Sequence, residues 1–165
     1  MAISENTKPN PAVWHVDSGA TDHMCQDRVL LRTYSSIKKR VYMADCQQTM
    51  AQGTGSIVHQ VAQKRGRVET VTVTKVLHTP DLSANLLSVS SLTAKGASVT
   101  FGAEKNTIYL EGKELATAIK AGSLYNLVIA GSYSRAYLGK TGKATEKIWH
   151  CRMAHLGEQN MRKLM

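Results

Sequence analysis

The sequence is poor in aromatic residues. Phe, Trp and Tyr make up 5% of its 165 positions, so a folded core has to be built from Val, Leu, Ile, Ala and Met. No apolar run approaches the ~20 residues that a membrane-spanning helix needs, and no membrane association is expected. The opening segment, MAISENTKPNP, is polar and lacks the apolar stretch of a secretion signal. A cytoplasmic location is therefore expected. Cys25, Cys46 and Cys151 make no disulfide framework and should be free thiols there. The triplet Asp17-Ser18-Gly19 has no second Asp-Ser-Gly or Asp-Thr-Gly to match it.

What is present is enough for one modest domain with tails. Hydrophobic residues form 42% of the chain, too many for a disordered one. The net charge of +9 raises the question of a nucleic-acid partner. The basic residues, however, fall in short groups, Lys38-Lys39-Arg40 and Lys64-Arg65-Gly66-Arg67, with no aromatic residues interleaved. Charged loops on a small β domain account for them, and nucleic-acid binding is the less favoured reading.

Residues 1–12 read as a flexible lead-in. From Val13 onward, short apolar runs alternate with polar turns, which is the pattern of strands. VWHVDSG is a strand ending in a glycine turn. RVYMAD alternates, with Val41 and Met43 on one face and Tyr42 on the other. GSIVHQVA and ETVTVTKVL follow, joined by a hairpin turn at 63–67, and NTIYLEG and SLYNLVIAG close the series. One run departs from this pattern: Leu86, Leu87, Val89 and Leu92 have near-helical spacing. A helix is expected near 84–95, with Ser83 as its N-cap and Gly96 as its stop. Residues 131–147 have a linker composition, and a second helical segment is expected from about Glu146.

Asp17 ends an apolar strand and opens a tight turn. An aspartic protease needs a carboxylate in that position, with glycine letting the chain fold back sharply. Two such turns meeting across a twofold axis put two carboxylates around one proton and one water. Asp-Ser-Gly is also ordinary turn chemistry, so the triplet alone leaves both readings open. A second copy of the triplet is missing. A catalytic Asp17 therefore requires a homodimer.

The wider context is more specific. WHVDSGATDHM resembles the W-x-x-D-S-G-A-[ST]-x-H-[MI] signature of Copia-type retrotransposon proteases. VYMADCQQTMAQGTGSI, VLHTPDLSANLLSVSSLTAKGASVTF and SLYNL resemble the stretches that follow it in that family, in the same order. WHCRMAHLG resembles the opening of the zinc-binding region that precedes integrase. The resemblance covers nearly all of residues 13–157.

This resemblance implies an all-β, mainly antiparallel fold over residues 13–130. It would be a closed retropepsin-like β-barrel with one short helix, followed by the linker and by the start of the zinc-binding region at 148–165. It implies that Asp17 is the catalytic acid, braced by Ser18, Gly19 and Ala20, with Ser18 cross-linking the two subunits. The substrates would be segments of the retrotransposon polyprotein, in association with virus-like particles. Asp22 and His23 would either meet the substrate backbone or form a polar loop. A β-hairpin would cover the site. Its tip is favoured at Asp45-Cys46-Gln47-Gln48 over Gly53-Thr54-Gly55, because two alternating strands of similar length then flank it. Cys46 stands where the family usually has glycine. Asn85 would bond backbone near the turn, or simply start the helix. Cys25 is expected to be a small buried residue rather than a nucleophile.

The protease itself implies no cofactor. His150 and His155 would form half of a zinc site, which needs about four ligands. Zinc is therefore expected only with downstream cysteines. A catalytically inert β-barrel module from a decayed or fragmentary element is the alternative function.

Overall fold

The computed structural model describes residues 13–43, 48–61 and 67–129, together with the backbone of Ala62. Among these residues ten strands and one short α-helix follow one another, with a single 3-10 turn at Arg28–Leu30: β1 (Trp14–Asp17), β2 (Met24–Cys25), β3 (Thr33–Tyr42), β4 (Gln48–Ala62), β5 (Val68–His78), β6 (Asn85–Ser88), α1 (Val89–Thr93), β7 (Ala97–Phe101), β8 (Lys105–Leu110), β9 (Lys113–Ala121) and β10 (Leu124–Leu127). The all-β class expected from alternation is what forms. The lead-in 1–12, the linker and the C-terminal helical segment lie outside the described residues.

All ten strands belong to one sheet, in the order β3-β4-β5-β2-β6-β1-β10-β9-β8-β7. The ladder is antiparallel except where β6 runs parallel to β1 and β2 parallel to β5. Among the described residues the expected closure is not found: β3 and β7 are the two ends of the order and do not pair. Closure would need each edge to find a partner, and Lys38, Lys39 and Arg40 instead charge β3, a common protection of an edge strand. The sheet does curl, because an isolated bridge joins Val61 of β4 to Ile129 beyond β10.

The helix is shorter than its spacing predicts. Asn85–Ser88 is strand, and α1 begins only at Val89, with Ser88 rather than Ser83 as the N-cap. The reason is visible in the leucines. Adjacent residues of a strand point to opposite faces. Leu87 is buried in the larger apolar cluster, built around Trp14, Val76 and Ile108, whereas Leu86 packs on a smaller one. A helix would have placed both on one side.

The smaller cluster, formed by Ala20, Met24, Val41, Ala51, Leu77 and Leu82, sits between the β3–β4 hairpin and the segment after Asp17. Alternation along the hairpin explains it. Val41 and Ala51 turn inward, while Tyr42 (68% exposed) and Met50 (43%) turn out. Two glycines let the hairpin's base close up. A Cβ on Gly53 would strike the Tyr34 ring, and one on Gly55 would strike the Thr33 carbonyl. A bulge then shifts the alternation of β5: Thr74 and Lys75 together face the single Ser56. Lys75 takes φ +59° there, and the Lys95 ammonium donates to the carbonyl (3.2 Å) and hydroxyl (2.9 Å) of Thr74.

Candidate active site

Asp17 is the last residue of β1 and the first of a tight turn. Its Oδ1 accepts the Gly19 amide at 2.8 Å, which fixes the carboxylate over its own turn. Ser18 and Gly19 are exposed and Ala20 is buried. The turn is therefore solvent-facing at its tip and anchored just behind it.

The anchoring comes from far along the chain. β6 enters between β1 and β2, parallel to the first and antiparallel to the second, with Asp17 opposite Ser88. Ser88 is fully buried, and all of its polar groups but its carbonyl act on this region. Its hydroxyl donates to the Ala20 carbonyl at 2.7 Å and accepts the Ser91 amide at 3.0 Å. Its amide donates to Nδ1 of His23 at 3.1 Å. The Ser91 hydroxyl donates to the Thr21 carbonyl at 2.9 Å, and the Leu77 amide to the His23 carbonyl at 2.8 Å. Carbonyls 20, 21 and 23 are thus all held by fixed donors.

His23 is 1% exposed. It is a buried fixture, not a group that can meet a peptide in this conformation. Burial, reinforced by the Lys95 charge and opposed by Asp22, pushes its pKa down to about 4. Asp22 stays at the surface, where Lys39 of β3 approaches to 2.8 Å. That ion pair is exposed and contributes little to stability. It does tie the hairpin to the turn's loop, and the Thr49 hydroxyl, donating to Asp81 at 2.8 Å, ties the hairpin to the loop between β5 and β6.

Asn85 is also fully buried. Its Nδ2 donates to the Val13 carbonyl at 3.0 Å and its Oδ1 accepts the Gln26 amide at 3.2 Å. It bonds backbone at the start of β1 and the end of β2, across the strand it sits on. On the other side of β1, His15 Nδ1 donates to Asn126 Oδ1 of β10 at 2.7 Å. Cys25 is completely buried, and burial pushes its thiol up to about 12. It is a small core residue, as expected, and it is no nucleophile.

The β3–β4 hairpin reaches over this region. Tyr42 pairs with Gln48, so Gln48 is strand rather than tip. The remaining residues of the expected tip, Asp45, Cys46 and Gln47, lie outside the described residues. Gly53, Thr54 and Gly55 are inside β4, paired with both β3 and β5. His150 and His155 also lie outside the described residues. Among the described residues no cluster of His, Cys, Asp and Glu could hold a metal ion.

Ser88 and Ser91 escaped the sequence reading. Their signal was the Ser-x-x-Ser spacing at a helix start, in which the first hydroxyl caps the amide three residues on. The turn, the inserted strand and the β3–β4 hairpin belong to one all-β module. Residues 14–97 match the Pol polyprotein beta-barrel domain family. That is more than half of the chain, and the chain belongs to this family, a Pol-derived module. Comparison with curated proteins gave no match, and comparison with solved structures gave none.

Proposed function

We propose that the chain is the protease region of a Copia-type retrotransposon polyprotein, acting as a homodimeric aspartic endopeptidase on segments of that polyprotein. The observation that carries this reading is the Asp17 turn: a carboxylate presented at an exposed glycine turn, beside an inserted strand whose serine holds the carbonyl behind it. Family membership supports the Pol origin. The order of motifs from WHVDSGATDHM to SLYNL supports the Copia type. Segment 148–165 belongs to the same reading, as the start of the zinc-binding region. The expected location is the cytoplasm, in association with particles.

The mechanism follows from the carboxylate's setting. Two copies meeting at their exposed Ser18-Gly19 tips bring two Asp17 side chains together. Like charges at that distance retain one shared proton. The ionised partner takes a proton from a water held between them. The protonated partner gives its own to the scissile carbonyl oxygen as the water attacks. The macroscopic titration then belongs to the pair, and cleavage should follow a bell-shaped pH profile. In this reading the β3–β4 hairpin covers the bound peptide and excludes water.

The test compares parent and Asp17→Asn proteins on a polyprotein-derived peptide at concentrations where sedimentation shows a dimer. The substitution keeps the size of the side chain and removes the base. The parent should cleave and the variant should not, with unchanged circular dichroism. Equal cleavage by both refutes the assignment. A confirmed dimer that cleaves nothing favours the inert β-barrel module.

A further inference from the structure

We propose that His23 is the positioning residue of the Asp17 turn: as a neutral imidazole it accepts the Ser88 amide, and through Ser88 it holds the Ala20 carbonyl directly behind the turn. The consequence for catalysis rests on the protease reading. The structural relay does not.

The geometry leaves one protonation state for this role. Nδ1 faces an amide N–H at 3.1 Å, and only an unprotonated nitrogen can accept it. The imidazole proton is then on Nε2, which is buried without a partner among the described residues. A buried donor without an acceptor is costly, and the fold retains it to keep Nδ1 free. Protonation would place two N–H groups face to face, Nδ1–H against the Ser88 amide. The junction between β6 and α1 would have to move. With it would go the Ser88 hydroxyl, which is both the helix cap and the donor to Ala20.

The charged surroundings support a neutral His23. Lys95, beyond the end of α1, opposes a positive imidazole, and Asp22, the preceding residue, favours one. β6 and α1 carry no ionisable side chain. On β5, the strand whose Leu77 amide binds the His23 carbonyl, the ionisable groups are Glu69, Lys75 and His78. On β1 they are His15 and Asp17. Desolvation is the first cause of the low proton affinity, so the relay is intact at neutral pH and opens only in acid. His23 thus sets an acid limit on the turn's geometry, separate from the titration of the Asp17 pair.

The experiment follows the Ser88 amide of the full chain by hydrogen exchange and by its proton shift, from pH 7 to pH 3.5. Rates are corrected for intrinsic pH dependence. In the parent, Ser88 protection should fall roughly tenfold as His23 protonates, the loss of about one hydrogen bond, while Ile108 in the far half keeps its own. His23→Asn offers an acceptor oxygen in place of Nδ1 and does not titrate. It should keep Ser88 protected throughout. Asp22→Asn should move the transition to lower pH without removing it.

Ser88 protection that ignores pH in the parent overturns the proposal. So does an unchanged transition in His23→Asn. In the cleavage assay, His23→Asn should extend the acid limb of kcat to lower pH with KM unchanged. A parent that cleaves at no pH counts against the protease reading alone, and the Ser88 measurement still decides the role of His23.

Discussion

Two fully buried asparagines, one in each half of the sheet, have opposite fates. Asn85 lies among β1–β6 and spends its amide group on two backbone partners, Val13 and Gln26. Asn106 lies in the β7–β10 meander, and neither its Oδ1 nor its Nδ2 has a partner among the described residues. The halves are built differently. In the first half β3, β4 and β5 pair each with the next, but β1, β2 and β6 pair out of chain order, with parallel contacts, and buried Ser88, His23 and Asn85 supply specific side-chain bonds to the loops. β7–β10 pair each with the next, as antiparallel hairpins of alternating residues. Asn85 is therefore a fastener in the first half, and Asn106 a burden in the second. The family match, 14–97, spans the first half and stops where the meander begins.

Acid should break the contrast most strongly. His23, and His59 with its ring edge-on to Trp14 at 5.0 Å, both bind protons more weakly in the fold, near pH 4, than in an unfolded chain, near 6.5. Their contribution is complete above pH 6.5, falls as pH drops toward 4, and is flat below. The loss is on the order of 3 kcal/mol for each histidine. Urea unfolding at pH 7 and pH 4 measures it. A midpoint that does not fall across this window contradicts the burial of both rings.

The asparagines give the next two effects, with opposite signs. Asn85→Ala strands a carbonyl and an amide inside the first half and should cost about 2–4 kcal/mol. Asn106→Leu removes two orphaned polar atoms at similar volume and should stabilise by about 1–2 kcal/mol. Thermal unfolding of both variants beside the parent reads the difference. Should both destabilise equally, the two halves would not differ in the way the hydrogen bonds indicate.

Much of the strand layout is legible in the residues. Alternation places Val41 and Val73 inward and Tyr42 outward, because period two is a local property. The glycine turn at Asp17 is legible for the same reason. Leu86 and Leu87 are not. At four residues, helix and strand spacings overlap, and the deciding partner, β1, lies far away in sequence. The burial of His23 is equally hidden. A polar residue goes inside only where an acceptor or donor awaits it, and Ser88 cannot be matched to His23 by spacing. Barrel closure depends on whether two edges meet, which no single strand records. The bulge at Thr74-Lys75 leaves no mark in the ETVTVTKVL pattern beyond its charged interruption.

The insertion of β6 between β1 and β2 also has a consequence in time. The bond from Ser88 to Ala20 spans 68 residues. At ribosomal speeds of about 5–20 residues per second, the donor is made roughly 3–14 s after the acceptor. Until then the slot beside β1 stands open and Asp17 sits on a strand with no neighbour on that side. A nascent chain in that interval has its acidic motif but not the floor beneath it. The Asp17 turn is braced only when synthesis has passed α1, so a chain halted before that point carries the turn without its support.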